Sequence, residues 1–404
     1  MNRLVRMATR GSVQSVTGAY ARPLRIAMVV PPYFDVPPKA YGGVEAVVAN
    51  LTDGLVERGH AVTLIGAGQA DTKADFVQVW PEPVSERLGE PAPEVVYAAL
   101  ARQEVLRLHA DSGVDIVHDH TLAGPLNAPG YAALGLPTVV TAHGPVNGDL
   151  RQLYRALGTE VHLVAISERQ RELAGELNWV GMVHNAVRAD TFPYRTDKGD
   201  YALFLGRFHP DKGAHLALQA AHEVGLRMIL AGKCAEPAEK AYLERVVKPL
   251  LNDDDVLFGV ADAATKRQLL AEAQCLLFPI QWEEPFGMVM IEAMACGTPV
   301  VALRGGAVPE IVVDEVTGFV RDDPAELPKA LRRLDSIDPA ACREHVLEHF
   351  DISALAEKYE AAYHRVVAAR ERANGHGSNL HARRAQPDTN GARRLAASLA
   401  ITRR

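Results

Sequence analysis

The chain has 404 residues, too many for one ordinary hydrophobic core, so two domains are expected. Hydrophobic residues make up 48% and charged residues 23%, the balance of an ordinary soluble enzyme. A net charge of −7 gives no reason to expect nucleic acid or an anionic membrane as the main partner, and no apolar stretch approaches the length of a membrane span.

Met1 to Arg22 lacks an apolar signal core and is expected to be a flexible extension. Leu24 to Val30 is an apolar strand. A proline-rich loop leads to Gly42-Gly43, and Val44 to Arg58 carries the apolar spacing of a helix. Ala61 to Ile65 is the next strand, so this unit predicts a right-handed crossover in a parallel sheet. The glycine pair at the helix start lets backbone approach a bound group closely, or is a flexible turn; it is not the three-glycine dinucleotide pattern. Helices over Pro93–Ser112, Leu122–Leu134 and Asp149–Leu157 alternate with strands at Asp115–His118, Pro137–Thr141 and Val161–Ile166. Thr141-Ala142-His143-Gly144 closes its strand at the C-terminal end, the edge where open α/β sheets bind ligands. His118, His120 and His143 raise the question of a metal site. No carboxylate or cysteine pattern completes one, so satisfied histidines near the cleft are expected. Ser167 caps a further helix with Gln170 in the capping-box position, and Val180 to His184 is a strand.

Arg188 to Asp200 is polar and turn-rich, the candidate hinge. A second alternation starts at Tyr201–Leu205, followed by Gly206-Arg207-Phe208-His209-Pro210-Asp211-Lys212-Gly213 and a helix. Its two cations, a planar fork and a point charge, suit a phosphate or diphosphate, and the spacing is not that of a Walker loop. Strands follow at Leu226–Leu230, Val256–Phe258 and Cys275–Phe278, with helices from Glu236 to Leu251 and from an Asp262 cap to Glu272. In Glu284-Pro285-Phe286-Gly287 through Ala295, Pro285 fits a first helical position and Gly297 a C-terminal cap. The helix is apolar almost all round and therefore buried, so Glu292 needs a partner, protein or ligand. Thr298 to Leu303 is a buried strand, Ser353 to Arg372 a long helix, and Ala373 to Arg404 a basic, disordered tail. The four cysteines (Cys234, Cys275, Cys296, Cys342) show no paired metal spacing, and three lie in apolar runs, which suits reduced thiols and a cytoplasmic location.

Taken together, Tyr41-Gly42-Gly43-Val44-Glu45, Thr141-Ala142-His143-Gly144, His184-Asn185-Ala186-Val187, the Gly206–Gly213 loop and Glu284-x7-Glu292 resemble a retaining glycosyltransferase of the GT-B fold, family four. The resemblance spans about Arg22 to Arg372 and departs slightly at Ala186, where the family usually has glycine. It implies an α/β protein with two Rossmann-like parallel-sheet domains facing a central cleft. The acceptor-binding domain is residues 23–187 and the nucleotide-sugar domain 188–352; a helix over 353–372 crosses back onto the first.

By the same resemblance, Arg207 and Lys212 would hold the donor diphosphate without a metal or other cofactor. Glu292 would accept from ribose hydroxyls. Glu284, helped by backbone amides from Phe286, Gly287, Met288 and Val289, would bind the transferred sugar. His143 would reach that sugar from the first domain, Gly42 and Gly43 would border phosphate and acceptor, and Gly259-Val260 would meet the base. The implied partners are a nucleotide-diphosphate sugar, with UDP favoured, and a small-molecule or glycan acceptor. Two rivals share the architecture: a sugar-nucleotide 2-epimerase and a non-catalytic sugar-nucleotide-binding protein. The intact set Arg207, Lys212, Glu284 and Glu292 argues against the second.

Overall fold

The computed structural model describes residues 22–384, with side chains for 22–372. The first sheet comprises β1 (Arg25–Val29), β2 (Ala61–Ala67), β3 (Asp75–Trp80), β4 (Ile116–Asp119), β5 (Thr138–Thr141), β6 (Val161–Ala165) and β7 (Trp179–Met182). Its strands are parallel and lie in the order β3-β2-β1-β4-β5-β6-β7. The second comprises β8 (Tyr201–Leu205), β9 (Arg227–Ala231), β10 (Val256–Gly259), β11 (Cys275–Phe278), β12 (Val300–Leu303) and β13 (Gly318–Arg321). These too are parallel, in the order β10-β9-β8-β11-β12-β13. Both orders reverse direction once, between β1 and β4 and between β8 and β11, and such reversal points open a crevice beyond the strands' carboxyl ends.

Both faces of each sheet are covered, which is why the central strands are apolar throughout rather than alternating. In β1 the period of two still sorts the side chains. Ile26 and Met28 join a cluster with Leu51 and Leu55 of the helix Gly43–Glu57, whereas Ala27 and Val29 pack with Tyr97, Ala101 and Val105 of the helix Pro91–Asp111. Leu355, Ala356, Tyr359, Tyr363 and Val366 of the C-terminal helix complete the first of these clusters. That helix therefore supplies core to the first domain after the chain has finished the second. Its entry is tied by the Val187 N–H, which donates to the Phe350 carbonyl at 2.9 Å, and its side is tied by Arg58 Nε, which donates to Glu360 at 2.7 Å.

Three local expectations need correction. The C-terminal helix runs from Ile352 to Arg384, so residues 373–384 are helical where a disordered tail was expected; the rest of that tail, and the extension before Arg22, lie outside the described residues. Pro285 and Phe286 are not helical. The helix starts at Met288, because Gly287 takes φ +88 and turns the chain so that Phe286 packs between His184 and Phe350. The segment Glu236–Leu251 is one α-turn pair, Pro237–Tyr242, followed by π and 3-10 turns that end around Pro249.

Candidate active site

The loop after β8 carries its two cations to different acids. The Arg207 guanidinium donates to Glu239 at 3.1 Å and Glu236 at 3.3 Å. Glu239 is fully buried. Burial pushes its carboxyl up, but the N–H groups of Ala235 and Glu236, and then Arg207 itself, bring it below the usual carboxylate value. Lys212 Nζ lies 2.5 Å from Glu284 Oε2, which also accepts from Trp282 Nε1 at 3.0 Å. The ammonium sits 4.8 Å from the centre of the Trp282 ring, a cation–π contact.

Glu284 stands in a loop whose shape is set by the turn after β12. The Ala307 N–H donates to the Glu284 carbonyl at 2.8 Å, and a Cβ on Gly306 would come within 2.0 Å of that oxygen. Only glycine permits this approach. About one turn into the following helix, Glu292 meets Lys266 Nζ at 2.7 Å, the partner its buried position demanded. Lys266 belongs to the helix Ala263–Glu272, which Asp262 caps.

From the first domain come a glycine pair and a histidine. A Cβ added to Gly43 would meet nothing within 4 Å, so this position faces open cleft rather than protein. His143 Nε2 is 2.8 Å from His120 Nδ1, and the two rings stack with centroids 5.1 Å apart. His120 Nε2 lies 3.1 Å from the Met28 sulfur. His118, with its ring 4.0 Å from that of His120, is bonded to Tyr363 at 2.7 Å and to Thr141 at 2.8 Å. Thr141 in turn meets Tyr359 at 2.7 Å, so the web ends on the C-terminal helix. Burial holds all three histidines below their ordinary value, His143 to about 4, and keeps them neutral at neutral pH.

Two adjoining cavities of about 290 and 330 Å³ lie between the sheets. Arg207, Val260, Lys266 and Glu292 line the first, with Gly42. His143, Lys212, Glu284, Phe286 and Gly287 line the second. Tyr41, Gly43, Met288 and Val289 line both and join them into one elongated site. Gly259 lines neither; its carbonyl accepts from the Gly232 N–H at 2.7 Å. The site is thus long, with cations and carboxylates on one wall and glycine backbone and a neutral imidazole on the other. It can hold an extended ligand with an anionic middle and hydroxyl-bearing ends.

Residues 41–191 match the family described as Glycosyltransferase Family 4, and residues 189–340 match Glycosyl transferases group 1. The chain is 28% identical to the alpha-maltose-1-phosphate synthase of Mycobacterium tuberculosis, over 85% of this chain and all of that protein. It is 27% identical to the phosphatidyl-myo-inositol mannosyltransferase of the same organism, over 84% of this chain and 91% of that one. Among solved structures it is similar to AviGT4, a glycosyltransferase involved in avilamycin A biosynthesis. The two are 30% identical with a TM-score of 0.65, and the likeness covers 86% of this chain and 98% of AviGT4. The chain belongs to the group 1, family 4 glycosyltransferases. Its two-domain GT-B fold is shared with a sucrose-phosphate synthase from Thermosynechococcus elongatus at 19% identity and a TM-score of 0.68.

Several residues of this glycosyltransferase's cleft carry no local sequence signal. Lys266 stands well before the Glu292 it pairs with, and His120 meets His143 only through the pairing of β4 with β5. Glu239 had one: Glu236-Pro-Ala-Glu239 is a capping box, with Glu239 reaching back to the Glu236 N–H at 3.1 Å. Among the described residues one further cluster, His60, Glu360 and His364, has the ligand types of a metal site. It lies at the C-terminal helix, outside the residues that line the cleft. His60 Nδ1 accepts the Leu24 N–H at 3.1 Å, which places the ring proton on Nε2, turned toward Glu360 at 3.2 Å. That proton occupies the lone pair a metal would need.

Proposed function

We propose that this glycosyltransferase moves a hexose from a UDP-sugar to a hydroxyl acceptor with retention, by front-face transfer and without a metal. One observation carries the reading: the Arg207–Glu292 and Lys212–Glu284 pairs of residues line two cavities that run into one another past Gly43, Met288 and Val289. A nucleotide lies along the first cavity with its ribose hydroxyls on Glu292. Its diphosphate sits between Arg207 and Lys212, and its sugar enters the second, against Glu284 and His143.

In the transfer, the bond from the anomeric carbon to the phosphate oxygen breaks and a bond to the acceptor oxygen forms on the same face of the sugar. The leaving phosphate oxygen takes the acceptor's proton. Arg207 and Lys212 stabilise the charge that develops on the diphosphate, the service a metal performs elsewhere. Glu284 is poorly disposed to be a nucleophile, since its Oε2 already accepts from an ammonium and an indole N–H. Glu292 is similarly held by Lys266.

The test screens UDP-, GDP- and ADP-sugars for thermal stabilisation of the protein, because a ligand that binds the native state raises the melting temperature. The sugar nucleotide that stabilises most is then turned over with candidate acceptors. UDP-sugars are expected to lead, and the product is expected to keep the anomeric configuration. A covalent sugar on Glu284 or Glu292, or an epimer formed from the donor alone, would overturn the mechanism.

A further inference from the structure

The bond between His143 and His120 has a direction, and the third member of the chain sets it. A thioether carries no hydrogen and can only accept. For the 3.1 Å contact between His120 Nε2 and the Met28 sulfur to be attractive, His120 must carry its proton on Nε2. The opposite tautomer would turn a buried lone pair against the lone pairs of sulfur, in a residue only 5% exposed. With the ring neutral, Nδ1 of His120 is then an acceptor, and the 2.8 Å bond to His143 has to be donated by His143 Nε2. His143 is left with an unprotonated Nδ1. Among the described residues that nitrogen has no hydrogen-bond partner, and the ring lines the cavity shared with Lys212 and Glu284.

We infer that His120, oriented by Met28, is a positioning residue that fixes the proton of His143 on Nε2, so that His143 accepts a hydrogen bond through Nδ1 from a hydroxyl of the transferred sugar. It rests on the proposed reading that the sugar lies in that cavity. His143 then acts as neither acid nor cation. It selects for a donor sugar that offers an O–H at this point, and the charge of the reaction stays with Arg207 and Lys212. The close, tilted contact with the His118 ring, itself bonded to Tyr363 of the C-terminal helix, keeps the His120 ring from turning.

The direct test uses the full chain labelled with nitrogen-15 histidine and needs no substrate. His143, assigned by loss of its signals in His143→Ala, is expected to show a protonated Nε2 and an unprotonated Nδ1; the reverse pattern overturns the proposal. Two substitutions then separate positioning from packing. His120→Phe keeps a stacked ring but removes both nitrogens. It is expected to give mixed His143 tautomers and to lower kcat/KM for the sugar donor about tenfold, the scale of one hydrogen bond. His120→Asn restores an acceptor oxygen near the Nδ1 position and is expected to recover activity to within about threefold of the native enzyme. If Asn is no better than Phe, position 120 acts by packing alone and the proposal falls. Where His120→Phe does not fold, the near-isosteric Met28→Leu is read instead, with the same mixed tautomers expected and an unchanged single tautomer overturning the role of Met28. A spectrum as inferred together with native transfer by His143→Ala would overturn the sugar contact while leaving the tautomer standing.

Discussion

Along the second sheet the cleft is walled by ion pairs, Arg207 with Glu239, Lys212 with Glu284 and Lys266 with Glu292. Along the first it is walled by neutral histidines. Two of the buried carboxylates of that domain, Glu45 and Asp119, form no ion pair among the described residues, and burial pushes both up to about 7. At the cleft, the second domain sets cations and carboxylates in ion pairs, whereas the first presents glycine backbone and a neutral imidazole; an ion pair of its own, Arg58 with Glu360, lies away from the cavities. On the proposed reading, the difference matches the parts of the donor. A diphosphate can exchange one carboxylate partner of a cation for another at little cost in desolvation, and only the second domain offers such cations. A sugar or acceptor hydroxyl needs directional bonds without net charge, and the first domain offers those.

The contrast is broken most sharply at Arg207. Arg207→Ala is expected to lower turnover by about 10²–10³-fold at saturating donor, the scale for losing one charge-stabilising group, and near-normal initial rates would remove it from that role. Lys212→Met leaves Glu284 buried without its cation, which costs about 3 kcal/mol in pairs of this burial. That should lower the melting temperature of the second domain by roughly 6–12 °C, at about 2–4 °C per kcal/mol. On the proposed reading Glu292 binds donor hydroxyls equally in ground and transition states, so with Glu292→Ala donor KM should rise by about 10–10²-fold with little change in kcat. A fall in kcat alone would mean that Glu292 touches the reacting atoms instead. In the uncharged half the matching deletion is milder. Tyr363→Phe loses one bond to His118 and is expected to cost about 1 kcal/mol, read as a melting shift of a few degrees.

How far these features could be read in advance follows the same division. The strand-loop-helix periodicity placed Gly43, His143, Arg207 and Lys212 at strand ends, because local pattern alone decides which strand a loop follows. The apolar surroundings of Glu292 demanded a partner but could not name Lys266, since that meeting depends on how two helices pack over the second sheet. The strand β3 escaped notice because it is an edge strand, paired only to β2 and half-buried, without the continuous apolar run of its neighbours. Pro285 pointed to a helix start by its own preference, and Gly287 overruled it to seat Phe286. Most of all, His118 and His120 raised a metal question that spacing could not answer. The structure turns them toward Thr141, Tyr363, His143 and Met28, partners fixed by the pairing of β4 with β5 and by a helix from the far end of the chain.

The last test concerns that histidine web and separates the two halves by pH rather than by mutation. Burial lowers His118, His120 and His143 below the ordinary 6.5, with His143 reaching about 4. In the unfolded chain these rings take up protons near pH 6.5, whereas in the native protein they do not until the pH is much lower. Between those values the unfolded state binds more protons, so stability rises with pH. The stabilisation from keeping them neutral is fully present above pH 6.5 and is lost as the pH falls to about 4 for His143. Melting scans across this window should show the first domain losing roughly 2–4 °C for each kcal/mol withdrawn, with His118→Gln flattening part of the slope. In the second domain the N–H groups of Ala235 and Glu236, and then Arg207, hold the buried Glu239 below its usual value, so its contribution survives until the pH falls further. Two transitions that separate on mild acidification, the first domain melting earlier, are therefore expected. A single transition whose slope is unchanged by His118→Gln would mean that the web does not hold its histidines neutral.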